Sequence, residues 1–170
     1  MRRFEHIRHK PPTELGEPRE LILVLAPMRS NVNLSRIVRL AGCAGITKII
    51  QCGPGKVDRE IARDAVEVVE IIQRRSLAPT LEHLAAEGYQ RVGLEQTTNS
   101  ECLYTFHFAP KTALVIGSER EGLSQEELDR LDRVVEIPVY GHPYSYNVAT
   151  ATTMAVYEFC RQYPGLLIPS

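Results

Sequence analysis

Apolar residues along this chain alternate between short unbroken runs and stretches where they recur every three or four positions. Leu21 to Ala26 (LILVLA) is apolar throughout, as a strand buried on both faces of a parallel sheet must be. Pro27-Met28-Arg29-Ser30-Asn31 breaks it. Leu34, Ile37, Val38, Ala41 and Ala44 then form one helical stripe, with Asn33 at its start and Gly45 as its stop. Ile46 to Cys52 is a second strand, which completes a right-handed βαβ crossover. From Val57 to Arg75 the pattern is open: Asp58–Asp64 looks helical, whereas the β-branched Val66–Ile72 also suits a short strand. A short helix is expected over Pro79–Glu87, with Gly88 just past its end, and a strand over Arg91–Glu95. Leu103–Phe108 is mixed and aromatic. Ala113–Ile116 is a buried strand, Ser124 to Glu127 a capping box opening a helix through Leu131, and Val134–Ile137 the last strand.

The end of the chain changes character twice. Ile137 to Asn147 holds Pro138, Gly141 and Pro143, so it is neither regular helix nor central strand. Val148, Ala151, Thr152, Ala155, Val156, Phe159 and Cys160 then define a buried helical face, with Asn147 at the N-cap. Strands alternating with helices predict an α/β domain, a mainly parallel sheet with helices on both faces. In such sheets ligands bind beyond the carboxyl ends of the strands. Three polar loops follow strands: Pro27–Asn33, Gly117–Gly122 and Val139–Asn147. Their convergence predicts one ligand site.

Composition narrows the class. One domain is expected from 170 residues, with 1–19 as a basic N-terminal arm and 20–170 as the folded unit. No apolar run reaches membrane-span length, and the N-terminus lacks the apolar stretch of a signal peptide. Cys43, Cys52, Cys102 and Cys160 include no C-x-x-C pair and fit reduced packing residues in a cytoplasmic protein. Neither they nor the five histidines have metal-ligand spacing, so no metal is expected. Twenty Lys/Arg against 21 Asp/Glu imply no nucleic-acid partner by net charge; that needs a local patch. GSEREG lacks the Lys-Ser/Thr of a P-loop, no G-x-G-x-x-G follows the first strand, and G-x-S-x-G is absent.

Three segments together are more specific than any of these patterns. NLSRIVRLAGCAG, LVIGSEREGLS and IPVYGHPYSYNVATA occur in this order, and they resemble the three motifs of the SpoU/TrmH family of RNA ribose 2′-O-methyltransferases, in the SPOUT class. The resemblance spans about Leu21 to Tyr163. It implies an enzyme dependent on S-adenosyl-L-methionine (AdoMet), a deep trefoil knot within about residues 113–160, and a homodimer with the site built from both subunits. It places Asn33, Arg39, Glu119, Ser145 and Asn147 at the family's functional positions. Gly117, Ser118, Ile137, Val139, Gly141, Ser145 and Tyr146 fall where the family contacts AdoMet. Ser35 replaces the family's glycine and Tyr146 its leucine.

In this reading Arg39 stands at the 2′-hydroxyl and its phosphate, oriented by Asn33 and Glu119, while Ser145 and Asn147 shape the pocket. Its rigid guanidinium suits charge stabilisation, since arginine is a poor proton acceptor. RNA contacts are expected at Arg29, Arg36, Arg39 and Arg120, with the basic arm (Arg2, Arg3, Arg8, Lys10) and Arg59 and Arg63 as further candidates. GYQRVGLEQTTNS resembles relatives that methylate a D-loop guanosine of tRNA, and no added RNA-binding domain of the kind some rRNA-modifying relatives carry is expected. The substrate reading is therefore tRNA ahead of rRNA. A knotted RNA-binding protein without transferase activity is the alternative of another class; a conventional dinucleotide-binding enzyme would need the missing glycine-rich turn.

Overall fold

The computed structural model describes residues 2–165; positions 166–170 of the expected 20–170 domain lie outside the described residues. Thirteen elements follow one another: β1 (Leu21–Leu25), α1 (Asn31–Cys43), β2 (Lys48–Cys52), α2 (Arg59–Ala62), α3 (Ala65–Val68), β3 (Glu70–Arg74), α4 (Leu77–Ala86), β4 (Gln90–Leu94), β5 (Glu101–Cys102), β6 (Thr112–Ile116), α5 (Gln125–Leu128), β7 (Arg133–Glu136) and α6 (Val148–Gln162). The strands form one sheet in the order β3-β2-β1-β6-β4-β7-β5, with every pair parallel.

Side chains alternate across a strand, so the unbroken apolar run of β1 feeds two cores. Leu21, Leu23 and Leu25 join Leu34, Ile37, Val38, Ala41, Val156 and Phe159 on the α1/α6 face. Ile22 and Val24 join Leu77, Leu81 and Leu84 of α4 on the other. The parallel α/β architecture expected from the pattern is what the chain forms.

Boundaries differ where competing forces meet. Ser30, not Asn33, caps α1, its hydroxyl accepting from the Asn33 N–H; Asn33 lies in the first turn. The open segment resolves into both readings, with a second short helix between them: α2, then α3 over Ala65–Val68, then β3 from Glu70. Val66 to Val68 are helical despite their β-branching because α3 packs on α1, where Gly42 leaves room for Ala65. The capping box at Ser124 and Glu127 is present, yet α5 ends at Leu128, not Leu131. The chain must straighten there, because Asp132 binds the Arg91 backbone and guanidinium and Arg133 enters register beside Val92.

Gly45 ends α1 with φ +71°, a conformation glycine adopts at low cost, and a Cβ there would stand 2.5 Å from Leu15 Cδ1. Among the described residues no helix is long and apolar enough to cross a membrane. The four cysteines form no disulfide.

Candidate functional site

The loops after β1, β6 and β7 meet beyond the carboxyl ends of the strands, around a cavity of about 500 Å³. Hydrogen bonds tie them together. Glu119 reaches from the loop after β6 to the start of α1, where its carboxylate accepts from the backbone N–H groups of Arg29 and Ser30, each at 3.0 Å. The Asn33 side chain donates to the same carboxylate at 3.2 Å. Asn33 Oδ1 in turn accepts from Asn147 Nδ2 at 3.2 Å. Asn147 Oδ1 caps α6, accepting from Ala149 at 2.9 Å and Thr150 at 3.3 Å. One relay therefore fastens both helix N-termini and all three loops. Asn33, only 8% exposed, is its centre.

Burial opposes ionisation of Glu119. The backbone N–H groups of Arg29, Glu119 itself and Ser30, together with the Asn33 amide, outweigh it and hold the carboxyl below the usual carboxylate range. Glu119 is thus an anionic tie at the positive end of α1.

The cavity wall is mixed. Ile116, Ile137, Val139 and Ala151 supply apolar surface, while Ser118, Glu121, Ser145 and Asn147 are polar. Gly117 is backbone-tight: a Cβ there would stand 2.5 Å from the carbonyl carbon of Gly122. Of the expected cofactor positions, Gly117, Ser118, Ile137, Val139, Ser145 and Tyr146 line the cavity. Gly141 does not; it is exposed, with open space around it. Among the described residues no three His, Cys, Asp or Glu side chains group as a metal site would need.

The SpoU rRNA Methylase family profile matches residues 20–157. The chain belongs to this family. It is 32% identical over 151 residues to the 23S rRNA (guanosine-2′-O-)-methyltransferase RlmB of Acinetobacter baylyi, an alignment covering 85% of this chain and 61% of that protein. It is 26% identical to the tRNA (guanosine(18)-2′-O)-methyltransferase of Escherichia coli K12, covering 84% of this chain and 64% of that one. The chain thus spans somewhat less than two thirds of these relatives. Its fold is similar to the crystal structure of the A. aeolicus TrmH/SpoU tRNA modifying enzyme, with TM-score 0.82, 25% identity, and coverage of 88% and 78% of the two chains. It is also similar to the SpoU methyltransferase AviRb of Streptomyces viridochromogenes in complex with AdoMet, with TM-score 0.72, 25% identity, and coverage of 89% and 60%.

Within this SpoU-family chain the expected arrangement around Arg39 is not formed. Asn33 and Glu119 bind each other and the α1 N-terminus rather than orienting the arginine. Arg39 is exposed and, among the described residues, makes no side-chain hydrogen bond or ion pair. Six residues beyond Asn33 on α1, it lies roughly 9 Å along the axis and about 120° around it. Arg36 is exposed on the same side, Arg120 lines the cavity, and Arg29 pairs with Glu121 at 3.1 Å. Ser35, in place of the family glycine, is fully buried and satisfied: its hydroxyl donates to the Asn31 carbonyl at 2.6 Å and accepts from the Asp58 N–H at 2.7 Å.

Sequence reasoning missed Glu95 and Gln96, which also line the cavity. Glu95 accepts from Leu123 N–H at 3.1 Å, and Gln96 donates to the Tyr144 carbonyl at 3.3 Å, so the end of β4 is tied to both neighbouring loops. The signal was present: two polar residues directly follow a buried parallel strand. Gly122, with φ +63°, adopts there a conformation that favours glycine, and a Cβ would push the Glu95 carboxylate off its bond to Leu123.

Proposed function

We propose that this protein transfers the methyl group of AdoMet to a ribose 2′-hydroxyl of RNA, with tRNA as substrate and a D-loop guanosine as target. The observation that carries the reading is the Asn33–Glu119–Asn147 relay, which brings the three family motifs to one cavity at the strand ends. The A. aeolicus and E. coli relatives support the tRNA assignment. The A. baylyi relative supports rRNA as the second reading.

The residues present fit AdoMet. The cavity volume lies within the range of small-ligand sites. Ile116, Ile137 and Val139 offer a purine apolar contact, and the Ser145 hydroxyl and the backbone at Gly117 and Ser118 offer polar groups to its sugar and amino-acid parts. When bound, AdoMet supplies an activated methyl group. This chain's own part is positioning and charge. The relay holds the loops rigid, so the acceptor oxygen and the methyl meet without reorganisation. Arg39 stabilises negative charge developing on the 2′-oxygen and anchors the adjacent phosphate. Because Arg39 does not line its own chain's cavity, it serves the cavity of a second copy in a homodimer. The segment from about 113 to 160 is proposed to form the trefoil knot; likeness to the family's solved structures supports this.

The test is transfer of labelled methyl from AdoMet to unmodified tRNA and, separately, rRNA. Wild type should label tRNA, and Arg39→Ala should lower turnover by about 100-fold or more, as loss of a charge-stabilising donor does. Label on rRNA alone would move the substrate to the second reading. No label on either, with AdoMet binding intact, would overturn the proposal.

A further inference from the structure

Residues 2–10 (RRFEHIRHK) carry Arg2, Arg3, Arg8 and Lys10 against Glu5, although the whole chain is nearly neutral. All nine are exposed, Phe4 at 93% and Ile7 at 65%. The ion pair formed within them, Arg3–Glu5 at 3.5 Å, is solvent-facing and worth little. The arm makes no helix or strand, so it has no amphipathic face to lay on another surface.

Its root, by contrast, is built into the fold. Leu15 fills the space left by Gly45 and touches Gly165, and the Gly16 N–H donates to the Gly165 carbonyl at 3.0 Å. Arg19 donates to the Ala44 carbonyl at the end of α1 at 2.8 Å, and to the Tyr163 and Pro164 carbonyls just past α6. A cation there meets the negative ends of two helices. The fold therefore fixes where the arm leaves: about 16 Å along α1 from Asn33, past Arg39 and away from its own chain's cavity. From Leu15 the chain to Arg2 can extend about 43 Å.

We propose that this clamped arm is an RNA tether. Arg2, Arg3, Arg8 and Lys10 bind backbone phosphates outside the cavity, adding affinity without choosing the base. This rests on the RNA-methyltransferase reading and adds a second contact region to it. The chemistry favours nucleic acid: a short, locally basic, unstructured segment on a protein without net positive charge neutralises a phosphate chain and releases its counterions. Phe4, between Arg3 and Glu5 and almost fully exposed, is free to stack on an unpaired base.

The test uses the full-length protein with Arg2→Gln, Arg3→Gln, Arg8→Gln and Lys10→Gln combined, and an unmodified tRNA transcript titrated between 50 and 200 mM salt. The variant should bind at least about tenfold more weakly at the low-salt end, and the slope of log affinity against log salt should flatten by about 3 to 4, near 0.7–0.9 for each of the four lost contacts. AdoMet affinity and turnover at saturating RNA should be unchanged, so the loss appears in KM. A variant with wild-type affinity and slope, in a protein that still methylates RNA, overturns the tether alone. A wild type that binds and methylates no RNA overturns both readings. Arm-dependent binding to anionic phospholipid vesicles with RNA binding unaffected would assign the arm to a membrane surface instead.

Discussion

The chemistry of single residues here is dominated by one carboxylate. Glu119 gains four hydrogen bonds to its charged form, and these beat the cost of its partial burial. A carboxyl whose folded pKa lies below its unfolded value contributes stability that is fully present above about pH 4.3 and is lost as pH falls through the folded value. In Glu119→Gln the charge is gone, and an amide NH₂ faces the N–H groups of Arg29 or Ser30. The variant should be less stable than wild type at pH 7, with the gap narrowing as the pH is lowered from 5 towards 3. Urea unfolding across that range checks it; a gap independent of pH would remove the charge from the explanation. Much of this was legible beforehand, since Asn33, Glu119 and Asn147 stand out as polar residues in loops that follow buried strands. What was not legible is whom they bind. Glu119 was expected to hold Arg39 and instead holds backbone, because it lies close to the N–H groups at the start of α1, whereas Arg39 projects elsewhere. A motif names residues; it does not aim their side chains.

Among elements, the sequence was clearest where one force acts alone. The unbroken apolar runs Leu21–Ala26 and Ala113–Ile116 became β1 and most of β6, the capping box was found at α5, and Asn147 capped α6. It was least clear from Val57 to Arg75, where short elements draw their stability from α1 rather than from their own propensity. Gly42 shows how tight that packing is: a Cβ there would lie 2.6 Å from Ala65 Cβ and 3.1 Å from Ala65 Cα. Glycine inside a helix costs about 1 kcal/mol relative to alanine, so Gly42→Ala would stabilise an isolated α1. Against it stands overpacking of about 1–3 kcal/mol, since the obstacle includes backbone. Overpacking wins, and Gly42→Ala should lower stability. A double-mutant cycle with Ala65→Gly separates the two effects: removing the opposing methyl should leave the pair less destabilised than the sum of the single changes. Additive changes would show that α3 moves aside freely.

At the scale of the whole molecule, a single chain presents a cavity without its arginine. The relay and the cavity meet α1 at Asn33, and Arg39 lies about 120° around the helix and roughly 9 Å further along, off the cavity wall. In the proposed homodimer, a two-fold axis beside α1 would bring the Arg39 of each chain to the cavity of the other. Helical spacing alone does not give this arrangement, because it defines a face but not what covers it; the expectation of a site built from two subunits came from the motif resemblance. Complementation tests it directly. Arg39→Ala should bind AdoMet and fail to transfer methyl. Ala151→Trp, which fills the cavity from α6, should fail to bind AdoMet yet keep a working Arg39. Neither variant alone should methylate RNA. Refolded or co-expressed together, half of the dimers are mixed and each mixed dimer holds one intact site, so about a quarter of wild-type activity should return. Return of activity on mixing means the arginine acts across the interface. Silence in the mixture, with mixed dimers verified, would place Arg39 and the cavity of one chain in the same site and require a rearrangement of α1 on RNA binding.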